Sequence, residues 1–360
     1  MRNAGGFWLR LCCGLVAMAF AALADPPAAC ASDTVFTLAP GIEYVHRLIA
    51  GVADVQILSI DLAVPGVRIA VTSRSQRWST VLQFARRTGA TAAVNASSWS
   101  LFTQRAQGYV SGGGQVWSAR TRRDVIFGIT RQGRATILTP RDGGAALEDI
   151  TDGVAGNLLL VDKGRLADPA GLTAMGRDAR TAVGVSRNGT MVVIATADGR
   201  RPGAIGATPA EMGRLLMEFG AWRGINLDGG KSVAMFVARD GGIVNNPVLG
   251  REREVVSHIG VYAPLLDGQA RAARVLETPA AFVQLMRKPV PPSPRPVRSM
   301  LSDFAFLDDI YIGTVREWLF PVACLVLALL FYAGLLAGAR RRRRRQARLR
   351  ASDDTEALQA

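Results

Sequence analysis

From Val55 to Leu62 the chain reads Val-Gln-Ile-Leu-Ser-Ile-Asp-Leu, an alternation that predicts a strand. A Pro65-Gly66 turn and a second strand over 67–72 follow. Residues 79–88 predict a helix ended by Gly89, and 92–94 a short buried strand that delivers Asn95. Further strands are expected over 124–130, 158–161, 182–186 and 191–196. The strongest helix signal opens at Thr208, an N-cap, with Pro209 at N1 and Glu211 completing a capping box; it runs to Phe219 and stops at Gly220. Strands over 224–227 and 232–238 flank Asp228-Gly229-Gly230, and His258 falls in a later apolar strand as a core or edge histidine. Many strands and few helices predict a strand-rich α+β fold, a single domain over 33–264 with no internal repeat.

Outside that domain the patterning changes. A basic start, an apolar run from Phe7 to Leu23 and Ala22-Leu23-Ala24 before Asp25 describe a signal peptide over 1–24. Residues 318–339 carry no charge and would span about 33 Å as a helix, enough for a bilayer core. Six arginines, Arg340 to Arg345, follow at once and begin a basic tail over 340–360. Positive flanks stay inside, so the expected topology is single-pass, with the main domain extracytoplasmic (periplasmic or extracellular) and the C-terminus cytoplasmic. Residues 265–317 read as a Pro-rich juxtamembrane linker, with a short amphipathic helix over 270–285. Of the four cysteines, Cys12 and Cys13 lie in the leader and Cys324 in the span. Cys30 alone is left to the exported part, and no intrachain disulfide is expected there.

Composition fits this layout. The 360 residues are 49% hydrophobic and 20% charged, a globular balance that excludes a wholly disordered chain. The net charge of +14 first suggests a nucleic-acid binder, but the tail and leader hold a good part of it, and the body shows no dense basic run interleaved with aromatics. No nucleic-acid partner is expected. Two histidines leave little room for a multi-His metal centre. No metal site or cofactor is predicted, with a divalent ion left open.

Asp228 ends an apolar strand and precedes two glycines, which suits either a ligand site with close backbone approach or a plain Asp-Gly hairpin. Asp198-Gly199-Arg200 has the same ambiguity. Taken in order, the landmarks resemble the phosphodiester glycosidase family. Arg180-Thr181-Ala182-Val183-Gly184 is similar to its R-T-A-x-G strand, Asp198-Gly199-Arg200 to its D-G-R turn, and Asn226-Leu227-Asp228-Gly229-Gly230-Lys231-Ser232 to its N-L-D-G-G-G-S loop. Asn246-Pro247 and Glu252-Arg253 with Val255 resemble its closing motifs. Asp61-Leu62, Pro65-Gly66-Val67 and Val94-Asn95 resemble the earlier ones more loosely. The resemblance spans roughly 42–263. Two departures stand out: Ala96-Ser97-Ser98-Trp99 replaces a Gly-Gly-aromatic stretch, and Lys231 replaces a glycine.

The resemblance implies a membrane-anchored hydrolase of sugar 1-phosphodiester linkages in an envelope glycan, exopolysaccharide or glycolipid. Asp228 and Glu252 would be its carboxylate pair, with Glu254 as the same-face neighbour of Glu252. Arg180, Arg200 and Lys231 would hold the phosphate, and Asn95 and Asn246 the sugar hydroxyls. Asp198, Gly229, Gly230 and Ser232 would complete the substrate-binding loops. The alternative, suggested by the two departures, is a catalytically weak glycan-binding protein that assists polysaccharide assembly or export.

Overall fold

A computed structural model describes residues 31–100, 103–121, 124–142, 145–264 and 273–290. All of these fall in one compact unit, Met1–Pro294; the second, Arg295–Ala360, lies outside them. So do the expected leader, the span over 318–339 and the basic tail. Among the described residues no helix is long and apolar enough to cross a membrane.

The alternating segments assemble into an antiparallel sheet of nine strands. Its order is Arg165–Leu166, Leu158–Asp162, Arg223–Asn226, Arg180–Val185, Met191–Ala197, Ala53–Asp61, Ile42–Ile49, Ala31–Ala39 and Arg274–Glu277. The central strands are apolar on both faces (Val183, Ile194, Leu58 and Ile225 on one, Ala182, Val193 and Ile57 on the other), so both faces need a cover. On one face lie the helices Pro209–Glu218, through Met212, Leu215 and Leu216, and Ala280–Arg287, through Phe282 and Met286. The other face packs on two five-stranded sheets. One of these runs Gly242–Ile243, Met235–Val237, Ala92–Asn95, His258–Tyr262, Arg68–Val71. Its outer side is covered by the helix Val81–Thr88 through Val81 and Phe84. The strand-rich α+β expectation therefore stands.

Local chemistry sets the helix ends. Thr208 Oγ1 accepts from Glu211 N at 3.1 Å while Glu211 Oε2 accepts from Thr208 N at 2.7 Å. Thr80 and Gln83 make the same reciprocal pair at the helix Val81–Thr88, and Gly89 closes it at φ 67°.

Three sequence expectations are corrected. The strand over 232–238 is a 3₁₀ turn, Gly230–Ser232, followed by the strand Met235–Val237, because Gly230 turns the chain at φ 62°. The helix over 270–285 is divided: Arg274–Glu277 is a strand paired with Ala31–Ala39, and the helix starts only at Ala280. Pro279 accounts for the break, since it keeps Thr278 extended. The fold also continues beyond 264. Arg47, almost fully buried, binds Asp33 and Glu218, and its guanidinium lies 4.7 Å from the Phe282 ring. That joins the first strands, the Pro209–Glu218 helix and the C-terminal helix in one buried network.

Candidate active site around Asp228

The large sheet and the Ala92–Asn95 sheet converge where two of their strands end. Asn95 makes the junction. Its Oδ1 accepts from Thr181 Oγ1 at 2.7 Å and from Ala234 N at 3.3 Å, and its Nδ2 donates to Asp228 O at 2.8 Å. Asp228 N donates to Ala96 O at 2.9 Å and Leu227 N to Thr181 O at 2.8 Å. Asn95 is completely buried and these bonds occupy its amide. In place of the expected sugar contact, it braces the loop that presents Asp228.

Asp228 is only partly buried as a residue, yet its carboxyl is crowded by protein atoms. That crowding is the largest influence on its pKa and pushes it up. Hydrogen bonds from Ser232 and Ser98 (Ser98 Oγ to Asp228 Oδ1, 3.2 Å), the Arg253 charge and the Gly229 amide pull the other way. The strongest charge acting on it is that of Arg253, not of a second carboxylate. The loop itself leaves no room for side chains: a Cβ on Gly229 would lie 2.9 Å from Ala179 O, and Gly230 N donates to that carbonyl at 2.8 Å. Lys231 is half-buried in the 3₁₀ turn between Gly230 and the buried Ser232.

Glu252, the expected partner carboxylate, faces elsewhere. Its Oε1 accepts from Leu82 N at 3.0 Å, and Val81 N and the Thr80 hydroxyl also bond to it, so it caps the Val81–Thr88 helix. Burial nevertheless raises its pKa. Glu254 is exposed. The residue between them turns inward: Arg253 sits 4.5 Å from the Trp99 ring centroid and acts on the Asp228 charge. The sequence motif therefore delivers an arginine to the site where a second carboxylate was expected.

The remaining expected site residues divide similarly. Arg180 is buried, and its Nε and Nη2 donate to Ala207 O and Gly176 O at 2.6 and 3.0 Å. Burial lowers its pKa. Its guanidinium fastens the Gly176 and Ala207 segments, a structural duty in place of the expected phosphate contact. Arg200, in a left-handed conformation at φ 60°, forks onto Asp178 at 2.7 Å through both Nε and Nη2. A Cβ on Gly230 would lie 3.1 Å from its Nη2, so this half-exposed guanidinium reaches the Asp228 loop.

Asp198 is buried and accepts from Arg201 Nη2, Asn245 Nδ2, and both Asn246 N and Asn246 Nδ2. Asp198 is thus a hub that ties two loops together, and Asn246 spends its backbone and side-chain N–H groups on it. His258 is buried and stacked on Phe84. Its Nε2 donates to Ser79 O, which leaves Nδ1 to accept from Thr72 Oγ1, and burial pushes its pKa down to about 3.

Two contributors were not among the expected site residues, although Trp99 lies in the stretch that departs from the family pattern. Trp78 and Trp99, both half-buried, meet edge to face with centroids 4.9 Å apart beside Arg253 and Ser98. Among the described residues no group of three or more His, Cys, Asp or Glu side chains is placed to hold a metal ion. A groove of about 600 Å³ beside the helices Pro209–Glu218 and Ala280–Arg287 is lined by Met217, Phe282 and Leu285 with Arg214 and Lys288. It shares no residue with the Asp228 cluster, and its acid, Glu218, is paired with Arg47.

A strand-rich α+β domain with a crowded acid between hydroxyls, an arginine and two indoles has the parts of a glycosidase-type hydrolase. Residues 88–262 match the family model described as phosphodiester glycosidase. Among solved structures the fold is similar to a hypothetical protein from Synechocystis, at 18% identity and TM-score 0.51 over 67% of this chain. This chain spans 64% of that protein. It is also similar to the catalytic domain of zebrafish N-acetylglucosamine-1-phosphodiester alpha-N-acetylglucosaminidase, auto-inhibited by its pro-peptide. There the identity is 16% and the TM-score 0.50, over 66% of this chain and 84% of that one. At such identities the likeness speaks for the fold alone. No match was found among curated proteins.

Proposed function

We propose that the domain hydrolyses a sugar 1-phosphodiester, with Asp228 as general base. The observation that carries this is the enclosure of Asp228 by Ser98 and Ser232 with Arg253 beside it. In the proposed step a water loses its proton to the Asp228 carboxylate and attacks the anomeric carbon. The bond from that carbon to the bridging oxygen breaks, and the phosphate monoester leaves with the electron pair. A phosphate leaves without protonation, so one carboxylate suffices where an ordinary glycoside needs two. Arg253 offers the fork for the phosphate oxygens, with Arg200 and Lys231 at the neighbouring loop. A carboxylate whose pKa is raised by burial is a better base than one in water.

The substrate would be an envelope glycan, exopolysaccharide or glycolipid. Residues 318–339 would hold the enzyme in the membrane with the domain on the extracytoplasmic side, as the uncharged run and its arginine flank suggest. The glycan-binding alternative draws on the redirected Glu252, which leaves Asp228 without a second acid. The full-length chain incubated with a panel of sugar phosphodiesters decides between them. Released sugar supports hydrolysis, whereas retained glycan binding without any release supports the alternative.

A further inference from the structure

Trp78 has φ 57°, a left-handed conformation that a bulky residue adopts only at a cost. Glycine would take that conformation freely, so the indole is held there against a local preference. Its surroundings show what it gains. The ring meets Trp99 edge to face at 4.9 Å, and Arg253 lies 4.5 Å from the Trp99 centroid, which pins that indole. Trp99 directly follows Ser98, whose hydroxyl bonds to Asp228, and the same Arg253 acts on Asp228. Ser79, next to Trp78, bridges to Val255 in the segment that carries Arg253. Two half-buried indoles are thus held together, Trp78 just before the Ser79 bridge and Trp99 in the short strand Trp99–Ser100 that follows Ser98, and neither belongs to the core clusters.

We propose that Trp78 and Trp99 form the wall on which the substrate's pyranose ring stacks. This deepens the hydrolase reading and rests on it. The C–H face of a pyranose is apolar and suits an indole, while its edge hydroxyls stay free for polar partners. With the ring on the indoles and the phosphate on Arg253, the anomeric carbon lies between the wall and Asp228.

The test uses the full-length chain and the methyl phosphodiesters of glucose, galactose, mannose and N-acetylglucosamine 1-phosphates. Kinetics are read together with quenching of tryptophan fluorescence and melting temperature. Trp78→Gly relieves the left-handed strain, so its melting temperature should hold or rise while KM for the best diester rises about tenfold. Trp99→Phe should keep part of the affinity and Trp99→Ala should lose it. Wild-type turnover with KM unchanged in Trp78→Gly and Trp99→Ala overturns the wall and leaves the hydrolase reading intact. Sugar quenching that Trp78→Gly abolishes, in a wild type that turns nothing over, keeps the wall and removes the hydrolase reading. Neither turnover nor binding by the wild type removes both.

Discussion

Asp228 is held between burial, which raises its pKa, and two hydroxyls, an amide and Arg253, which lower it. As a base it must be ionised, so kcat/KM should rise with pH through its pKa and then level off. Arg253→Ala removes a positive neighbour and should move that acid limb to higher pH, with a weaker KM. A limb that instead falls with rising pH would assign Asp228 the acid role. Glu252→Gln should leave kcat within a few-fold and stability within about 1 kcal/mol, since the amide oxygen can still accept from Leu82 N and burial already disfavours the charge there.

The two histidines pull stability in opposite directions. His46 gains a bond to Asp54 that raises its pKa above 6.5; its contribution is complete below pH 6.5 and fades as pH rises through the folded value. His258 is depressed from 6.5 to about 3, so between those values the unfolded chain binds the extra proton. His46→Gln should therefore lose roughly 1.4 kcal/mol per pH unit as pH falls from 6.5 toward 4.5, checked by denaturant titration across that range. Asp228 and Glu252, raised by burial, oppose this slope over the same range, so a flat profile that persists in the Asp228→Asn/Glu252→Gln background would contradict the neutral, buried His258.

At the scale of elements, the sequence told most where one periodicity dominated. The Ala53–Asp61 strand is rich in apolar residues that bury both its faces, and the Pro209–Glu218 helix carries its own cap and stop. The hairpin Ala31–Ala39/Ile42–Ile49 was passed over, because its buried positions include Asp33 and Arg47, polar residues whose partners lie far along the chain. The same limit applies at the site. Asp228 was legible from the strand and glycines around it, but the direction of Glu252 depends on a helix start some 170 residues earlier, which spacing does not encode. Trp78 gave no signal and Trp99 only a departure from the family motif, since tertiary packing alone pairs them next to Ser98 and Arg253. The C-terminal helix tests the buried Arg47 network directly. Phe282→Ala removes a nearly buried ring from Arg47 and the core, and should cost about 3 kcal/mol in denaturant unfolding with kcat unchanged.

At the scale of the whole molecule, the strongly basic composition divides into a tail beside an uncharged run and a modestly positive domain. That domain puts an acid between two sheets and its cations around it, an arrangement suited to a negatively charged sugar ester. A reporter active only outside the cytoplasm, fused after Ala360, should be silent; an active one would reverse the proposed orientation. Whether Asp228 is the catalytic base is decided by sugar release from a pyranosyl phosphodiester by the wild-type chain, Asp228→Asn and Glu252→Gln. The wild type should release sugar, Asp228→Asn should lose at least about a hundredfold, and Glu252→Gln should stay near normal. Undiminished release by Asp228→Asn, or loss only in Glu252→Gln, would contradict that role.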